Sequence, residues 1–447
     1  MTEIAASRID DSKPRASVVP AQILGAFILV TTLFALWGFA NDITNPMVAA
    51  FKNILLISNF ESSLVQFAFY GGYCVMAIPA SLFIKRFSYK AGILTGLLLY
   101  ALGCLMFIPS GWMMAFWAFL LSYFVMTCGL SFLETSANPY VLAMGPEETA
   151  TRRLNFAQAF NPIGSLTGML VARNLILAKL DRTTEAARRE MLQTNPDQFA
   201  LIRDHDVNVI IGPYFVLGLV VFAAFVVFAI ARLPRSQGEE DTSLDIGPTL
   251  RRLWANKKYL EGVVAQTFYV GAQIMMWTFI IQYAENELGL SKETGQFYNM
   301  IAMGIFVTSR FICTALLKYV SPGGLLMTLA IGGFWLVFGT IFIKGMVGLY
   351  CLVGVSACMS LMFPTIYGIA LKGLGDDAKL GAAGLIMAIG GGCLMPPLQG
   401  AIMDMSAFNL GFMTLSSTRA SFALPLICFV VIAIFGLRTW KVHRHTY

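Results

Sequence analysis

Two carboxylates and a set of amides stand inside apolar runs of this chain. Asp42 lies in Asn41-Asp42-Ile43-Thr44-Asn45-Pro46, and Glu134 lies in Leu133-Glu134-Thr135-Ser136-Ala137-Asn138-Pro139. A charge at the centre of a bilayer costs about 2.5–3.5 kcal/mol on insertion scales, so a carboxyl kept at that depth needs a reason. The chemistry it offers there is reversible protonation, which makes Glu134 and Asp42 the candidate proton carriers. Around them the amides repeat at helical spacing. Asn41 and Asn45 are one turn apart, as are Glu134 and Asn138, so each pair shares a face. Asn155, Gln158 and Asn161 advance by threes over one arc. An amide both donates and accepts hydrogen bonds, which suits a ligand rich in hydroxyls better than an apolar one. Pro46, Pro139 and Pro162 lie beside these groups, where they free carbonyls and bend helices. Farther along, Gln273, Trp277 and Gln282 fall in one apolar run and Tyr367 in another, offering an aromatic platform and further hydrogen bonds. A plainer role exists for each: amides join membrane helices at about 0.6 kcal/mol per bond, Trp277 can pack between helices, and Asp42 is near enough to a span end to be solvated.

Other chemistries lack their residues. His205, His443 and His445 all lie outside the apolar runs, and none of the eight cysteines forms a CxxC pair, so no metal site, disulfide framework or cofactor is expected. A nucleotide-binding lysine loop, HExxH and GxSxG are absent. An enzyme is therefore not expected, and an ion gradient is the natural source of driving force.

The elements that carry these residues follow from composition. Of 447 residues, 57% are apolar and 13% charged, about half the charged share of soluble proteins. Mean hydropathy is +0.70. So few charges cannot coat a soluble fold of this length, and the net charge of +6, from 31 basic and 25 acidic residues, is too mild to imply a nucleic-acid partner. The composition predicts an all-α integral membrane protein in a lipid bilayer. Apolar stretches long enough to cross a hydrocarbon core of about 30 Å are expected at 21–45, 62–84, 91–109, 112–141, 156–178, 208–233, 259–284, 294–317, 324–344, 347–371, 380–403 and 417–438. That gives twelve spans, with a short surface helix between Ala186 and Leu192 in the outer segment 179–207. Lys and Arg concentrate in the loops on the side of the termini, for example Lys85, Arg86, Lys90, Arg152, Arg153, Lys318, Lys372 and Lys379, which places both termini in the cytoplasm.

A polar stretch at 234–257 divides the spans six and six. The run Lys85-Arg86-Phe87-Ser88 after the second span is echoed by Lys318-Tyr319-Val320-Ser321 after the eighth. The expected organisation is a tail at 1–20, a six-helix bundle at 21–233, a linker at 234–257, a second bundle at 258–438 and a tail at 439–447. Two six-helix bundles joined by a polar linker is the major facilitator layout. Gly390-Gly391-Gly392 and Pro396-Pro397 read as a hinge or a close-approach face.

The chain also resembles the fucose–galactose–glucose:proton symporters, the L-fucose permease group of the major facilitator superfamily. The resemblance is carried by Leu36-Trp37-Gly38-Phe39-Ala40-Asn41, Phe69-Tyr70-Gly71-Gly72-Tyr73, Ser88-Tyr89-Lys90-Ala91-Gly92-Ile93, Leu133-Glu134-Thr135 with Ala137-Asn138-Pro139, and Arg153-Leu154-Asn155 with Ala157-Gln158 and Phe160-Asn161. In the second half, Tyr269-Val270-Gly271-Ala272-Gln273 and Gly390-Gly391-Gly392 extend it. It implies an inner-membrane protein, functional as a monomer, that takes up L-fucose or a related hexose with a proton. It also implies an acid in helix one and another in helix four. Glu134 falls on the second; the first falls on Asn45, with Asp42 one turn earlier. Two other readings stay open on the residues alone: a drug/proton antiporter, which would want an apolar aromatic cavity, and a non-transporting sugar sensor of the same fold.

Overall fold

The structure, a computed structural model, describes residues 19–145, 153, 156–234, 246–317, 319–374, 377–409, 411 and 414–443. Asn155, residues 235–245 of the expected linker, and residues 1–18 and 444–447 of the expected tails lie outside the described residues, and the rest of the linker is mostly helical. The first six helices are α1 (Leu24–Thr44), α2 (Met47–Leu55), α3 (Asn59–Arg86), α4 (Tyr89–Leu105), α5 (Phe107–Met113) and α6 (Phe116–Ala143). Next come α7 (Asn161–Val171), continued by a π-helical turn at Ala172–Leu177, then α8 (Glu185–Thr194), α9 (Pro196–Ile230) and α10 (Ile246–Ala255). The remainder is α11 (Lys257–Thr278), α12 (Ile280–Leu288), α13 (Lys292–Leu316), α14 (Pro322–Phe342), α15 (Met346–Met359), α16 (Met362–Leu371), α17 (Ala378–Met387), α18 (Gly391–Met403), α19 (Ser417–Ser421) and α20 (Ala423–His443). A two-residue hairpin, Phe408–Asn409 against Thr414–Leu415, is the one sheet among the described residues.

Among the described residues nine helical stretches are long and apolar enough to cross a membrane, and α11 with α12, bent by 44°, raises this to ten. Two further helices, α7 with its π turn and α13, lie where the fifth and eighth spans are expected. Both carry polar residues: Asn161, Ser165, Thr167 and Arg173 in one, Lys292, Glu293, Gln296 and Asn299 in the other.

Local chemistry explains the boundaries. Pro46 breaks the first span, and the chain resumes as α2 until Leu56 turns left-handed at φ 53°. Ser58 starts α3 with a reciprocal cap, its hydroxyl accepting from the Glu61 amide at 3.0 Å while Glu61 accepts from the Ser58 amide at 2.8 Å. The expected surface helix is present as α8. The sixth span differs from expectation: α9 begins at Pro196 rather than near 208, because Asn195 caps it and Pro196 occupies its first position.

The helices pack as two groups. α1 lies on α7, α4 on α6 and α9, and α3 on α6; α14 lies on α20, α11 on α18 and α20, and α13 on α15. The groups meet most closely where α3 crosses α18. Glycine makes the tight crossings possible. A Cβ on Gly38 would strike the Asn161 carbonyl and one on Gly164 the Ala35 carbonyl, so α1 and α7 touch backbone to backbone. The triple glycine coincides with a 3-10 turn at Ala388–Gly390 that separates α17 from α18.

Candidate functional site

The close α1–α7 crossing brings three polar helix faces together in the first half. From α1 come Trp37, Asn41 and, one face round, Asp42 and Asn45; from α6 come Ser131, Glu134 and Asn138; from the region opening α7 come Gln158 and Asn161. Gln158 Nε2 donates to Asn138 Oδ1 at 3.0 Å, and Asn138 Nδ2 donates to the Glu134 backbone carbonyl at 3.0 Å. Asn161 Nδ2 donates to the Phe34 carbonyl on α1 at 3.2 Å. Glu134, Asn138 and Gln158 thus form one row, and Asn161 ties its helix to α1.

What these bonds leave unsatisfied defines the site. Glu134 Oε2, Asn41 Oδ1, Trp37 Nε1, the Tyr73 hydroxyl and the Ser131 hydroxyl are buried with no hydrogen-bond partner among the described residues. Tyr73, on α3, lies beside Trp37 and within electrostatic reach of Glu134. From the other half Tyr367, on α16, also feels Glu134 and stacks on Phe363 at 6.2 Å between ring centroids. Orphaned buried donors and acceptors cost free energy each, and a cluster of them is a place prepared for a polar ligand.

The other expected residues are placed differently. Asp42 is buried and held locally: Asn45 Nδ2 donates to its Oδ1 at 3.3 Å, and Ser165 on α7 stands near it, its hydroxyl donating to the Gly38 carbonyl at 3.5 Å. Asn45 in turn accepts from Gln66 Nε2 at 3.0 Å. This carboxyl therefore faces the α1–α7 seam, one face away from Glu134. Trp277 Nε1 donates to Ser356 at 3.1 Å and its ring packs on Phe306 at 5.0 Å, so it joins helices within the second half. Gln273 is half-buried on α11, and both side-chain polar atoms of Gln282 are buried without partners among the described residues.

A second polar set closes one end of the molecule. At the start of α3, the Asp404 carboxylate from the end of α18 accepts from the Asn59 amide at 2.8 Å, from Asn59 Nδ2 at 2.7 Å and from the Phe60 amide at 2.7 Å. These are orphan amides of a helix N-terminus, where a carboxylate is favoured. Gly400 lets the backbones meet, since a Cβ there would stand 2.6 Å from the Asn59 carbonyl. Asn53 donates to Glu285 at 3.4 Å, Arg182 pairs with Glu293 at 3.9 Å, and deeper in, Gln66 donates to Thr278 at 3.0 Å. All join the first half to the second at or above the polar cluster, on the side away from the termini. On the termini side Gln158 and Phe156 are exposed.

Outside the spans, Arg188 organises the segment before α9. It is buried, pairs with Asp206 at 2.5 Å and donates to the carbonyls of Asp181 and Thr183. Bonds from Thr183, with Arg188 nearby, hold the Asp181 carboxyl below the usual carboxylate range.

Trp37, Tyr73, Gln66 and Asp404 were not singled out by sequence reasoning. The signal for Trp37 is its place one turn before Asn41. Asp404 carries no local signal, since its partners lie about 345 residues away in sequence.

Two helical groups crossing at glycines, with orphaned polar groups enclosed between them and one end latched, define a membrane transporter of the alternating-access kind. The chain belongs to the major facilitator superfamily, whose family model matches residues 27–396. It is 54% identical over 429 residues to the L-fucose-proton symporter of Haemophilus influenzae, covering 96% of this chain and 99% of that one. It is 33% identical over 431 residues to the L-fucose-proton symporter of Escherichia coli, covering 96% and 94%. The crystal structure of the transporter FucP in the outward conformation superposes with a TM-score of 0.69 at 33% identity, over 93% of this chain and 99% of that one.

Proposed function

We propose that this protein carries L-fucose, or a closely related hexose, across a bacterial inner membrane together with a proton. The observation that carries the reading is the Glu134 carboxyl oxygen set among Trp37, Asn41 and Tyr73 groups, all without hydrogen-bond partners among the described residues. A drug antiporter would instead line this place with apolar surface; here the lining is amide, indole and phenol. Sugar hydroxyls supply both donors and acceptors, so one ring can satisfy Asn41, Asn138, Gln158 and Asn161 while stacking on Trp37 or Tyr73. Asn155, Gln273, Trp277 and Tyr367 belong to the same proposal: Tyr367 as the second half's face toward Glu134, Trp277 and Gln273 as the α11 wall that approaches on closure.

In this reading Glu134 carries the proton, and Asp42 with Asn45 and Ser165 links protonation to the fit of α1 on α7. Loading sugar and proton from outside, closing the outer latch around Asp404 and opening toward the cytoplasm complete the inward stroke. The bundles 21–233 and 258–438 rock about the site, the linker 234–257 and both tails face the cytoplasm, and one chain suffices. Support for this orientation comes from the basic loops on the termini side. The relatives named as L-fucose-proton symporters support the sugar.

The test is uptake of radiolabelled L-fucose into vesicles with a panel of unlabelled competitors, repeated with Glu134→Gln. A membrane potential of about 100 mV supplies about 2.3 kcal/mol per charge, enough for more than tenfold accumulation. Wild-type protein should accumulate fucose, and a protonophore should abolish this. Glu134→Gln should retain fucose-for-fucose exchange and lose accumulation. Uphill uptake by Glu134→Gln that a protonophore still collapses would place the proton elsewhere; no uptake of any hexose by the wild type would end the sugar reading.

A further inference from the structure

A groove among the described residues lies apart from the central site. It measures about 990 Å³ and lies on the outer flank of the first half, between α1, α7 with its π turn, and α9. Its walls are apolar: Leu36 and Phe39 on α1, Ile163 and Val171 on α7, Val216 and Val220 on α9. α9 leans on α4 and meets the π turn, which leaves the space against α1 open. At one end the lining changes character. Lys179, His205 and Asn208 stand there, on the side of the molecule away from the termini.

Charge and length point to one kind of occupant. Of the acids nearest that rim, Asp181 pairs with Arg188 and Asp204 with Arg203, while Asp206 pairs with Arg188 and also meets His205 Nδ1 at 3.2 Å. Lys179 has no ion-pair partner among the described residues and is exposed. An apolar slot ending in an unpaired cation fits an amphiphile with an anionic head. From His205 to Val220 the α9 wall rises about 22 Å at 1.5 Å per residue. Half of a bilayer, headgroup zone included, is about 20–22 Å deep. The slot therefore spans one leaflet.

We propose that this groove is a binding site for a phospholipid of the leaflet on the side away from the termini. An acyl chain lies between α1 and α9, and the phosphate sits on Lys179 with Asn208 as a hydrogen-bond donor. The phospholipid fills the gap that α9 leaves beside α1, the helix that also carries Asn41 and Asp42. The inference requires only that the chain is embedded in a membrane and is independent of which solute crosses it.

Native mass spectrometry of the full chain, delipidated in detergent and titrated with palmitoyl-oleoyl phosphatidylglycerol, tests it. The first lipid should bind the wild type more tightly than later ones. Lys179→Glu, reversing the charge at the phosphate, should weaken the first binding step about tenfold or more. Val216→Trp should do the same by filling the slot, since Val216 is 57% exposed and lines it. Thr167→Phe fills the same slot from α7 and replaces Val216→Trp if that variant melts far below the wild type. Val226→Trp, on α9 but outside the groove and 40% exposed, should match the wild type. Dioleoylglycerol, which lacks the phosphate, should bind the first site about tenfold more weakly. Equal first-step affinities across the wild type and the groove variants would overturn the proposal, as would dioleoylglycerol binding as tightly as the phospholipid.

Discussion

The grip of Asp404 on the start of α3 has a calculable strength. Asp404→Asn keeps one acceptor oxygen but removes the charge and the second acceptor, so at most two of the three bonds survive. Loss of a carboxylate or amide cap at a helix start costs about 0.5–2 kcal/mol, and the charge facing the helix dipole is worth about 0.3–1 kcal/mol. Asn59 is buried but Asp404 is exposed, so the lower half of the range applies. The working figure is about 1.5 kcal/mol, roughly a tenfold shift from the closed outer end toward the open one. Hydrogen exchange measured by mass spectrometry reads this directly. The peptides holding Asn59–Phe60 and the α18 end should both exchange about tenfold faster in Asp404→Asn. Ser58→Ala is the control, because it removes the cap that α3 supplies to itself and leaves the contact between halves intact; it should quicken exchange at the start of α3 only. The reasoning is refuted if Asp404→Asn leaves the α18 end unchanged, or if Ser58→Ala quickens both segments equally.

Three further outcomes are expected. Gln158→Ala removes the donor to Asn138 and should weaken sugar binding by about 1–2 kcal/mol with expression intact; isothermal titration showing wild-type affinity would reduce Gln158 to a helix contact. Arg188→Met leaves the buried Asp206 without its cation, a loss of about 3–5 kcal/mol, so its melting temperature should fall by several degrees and recover partly in the double variant with Asp206→Asn. A single variant melting like the wild type would show that Arg188 is not the organiser of that segment. Arg252 donates to both Asp377 oxygens, at 2.8 and 2.6 Å, and these bonds hold the Asp377 carboxyl below the usual carboxylate range. The folded carboxyl ionises more readily than the unfolded one, so its stabilisation is full above the ordinary aspartate range and is lost as pH falls below about 4. Asp377→Asn imitates that acid limit at neutral pH, and α10 amides should then exchange faster, an outcome absent if the pair only decorates the surface.

The sequence by itself determined the membrane class and the run of apolar helices, and it picked out Glu134, Asn138 and Gln158, which the structure sets in one row. These are legible because each rests on short-range rules: span length against bilayer thickness, prolines and caps at helix ends, and the one-turn spacing that places Glu134 and Asn138 on one face. Helical spacing also grouped Asn41 with Asn45, yet the structure divides them, Asn45 turning to Asp42 and Gln66 while Asn41 keeps a free acceptor. Tertiary structure alone decided which aromatic groups join Glu134, because Trp37 and Tyr73 sit in apolar runs where an indole or a phenol reads as packing. It alone decided that Asp42 serves the α1–α7 seam, since that depends on Gly38 and Gly164 letting two helices touch. The latch of Asp404 on α3 and the slot beside α9 arise between segments distant in the chain, and no local pattern encodes which remote helix a carboxylate will cap or which two helices will stand apart.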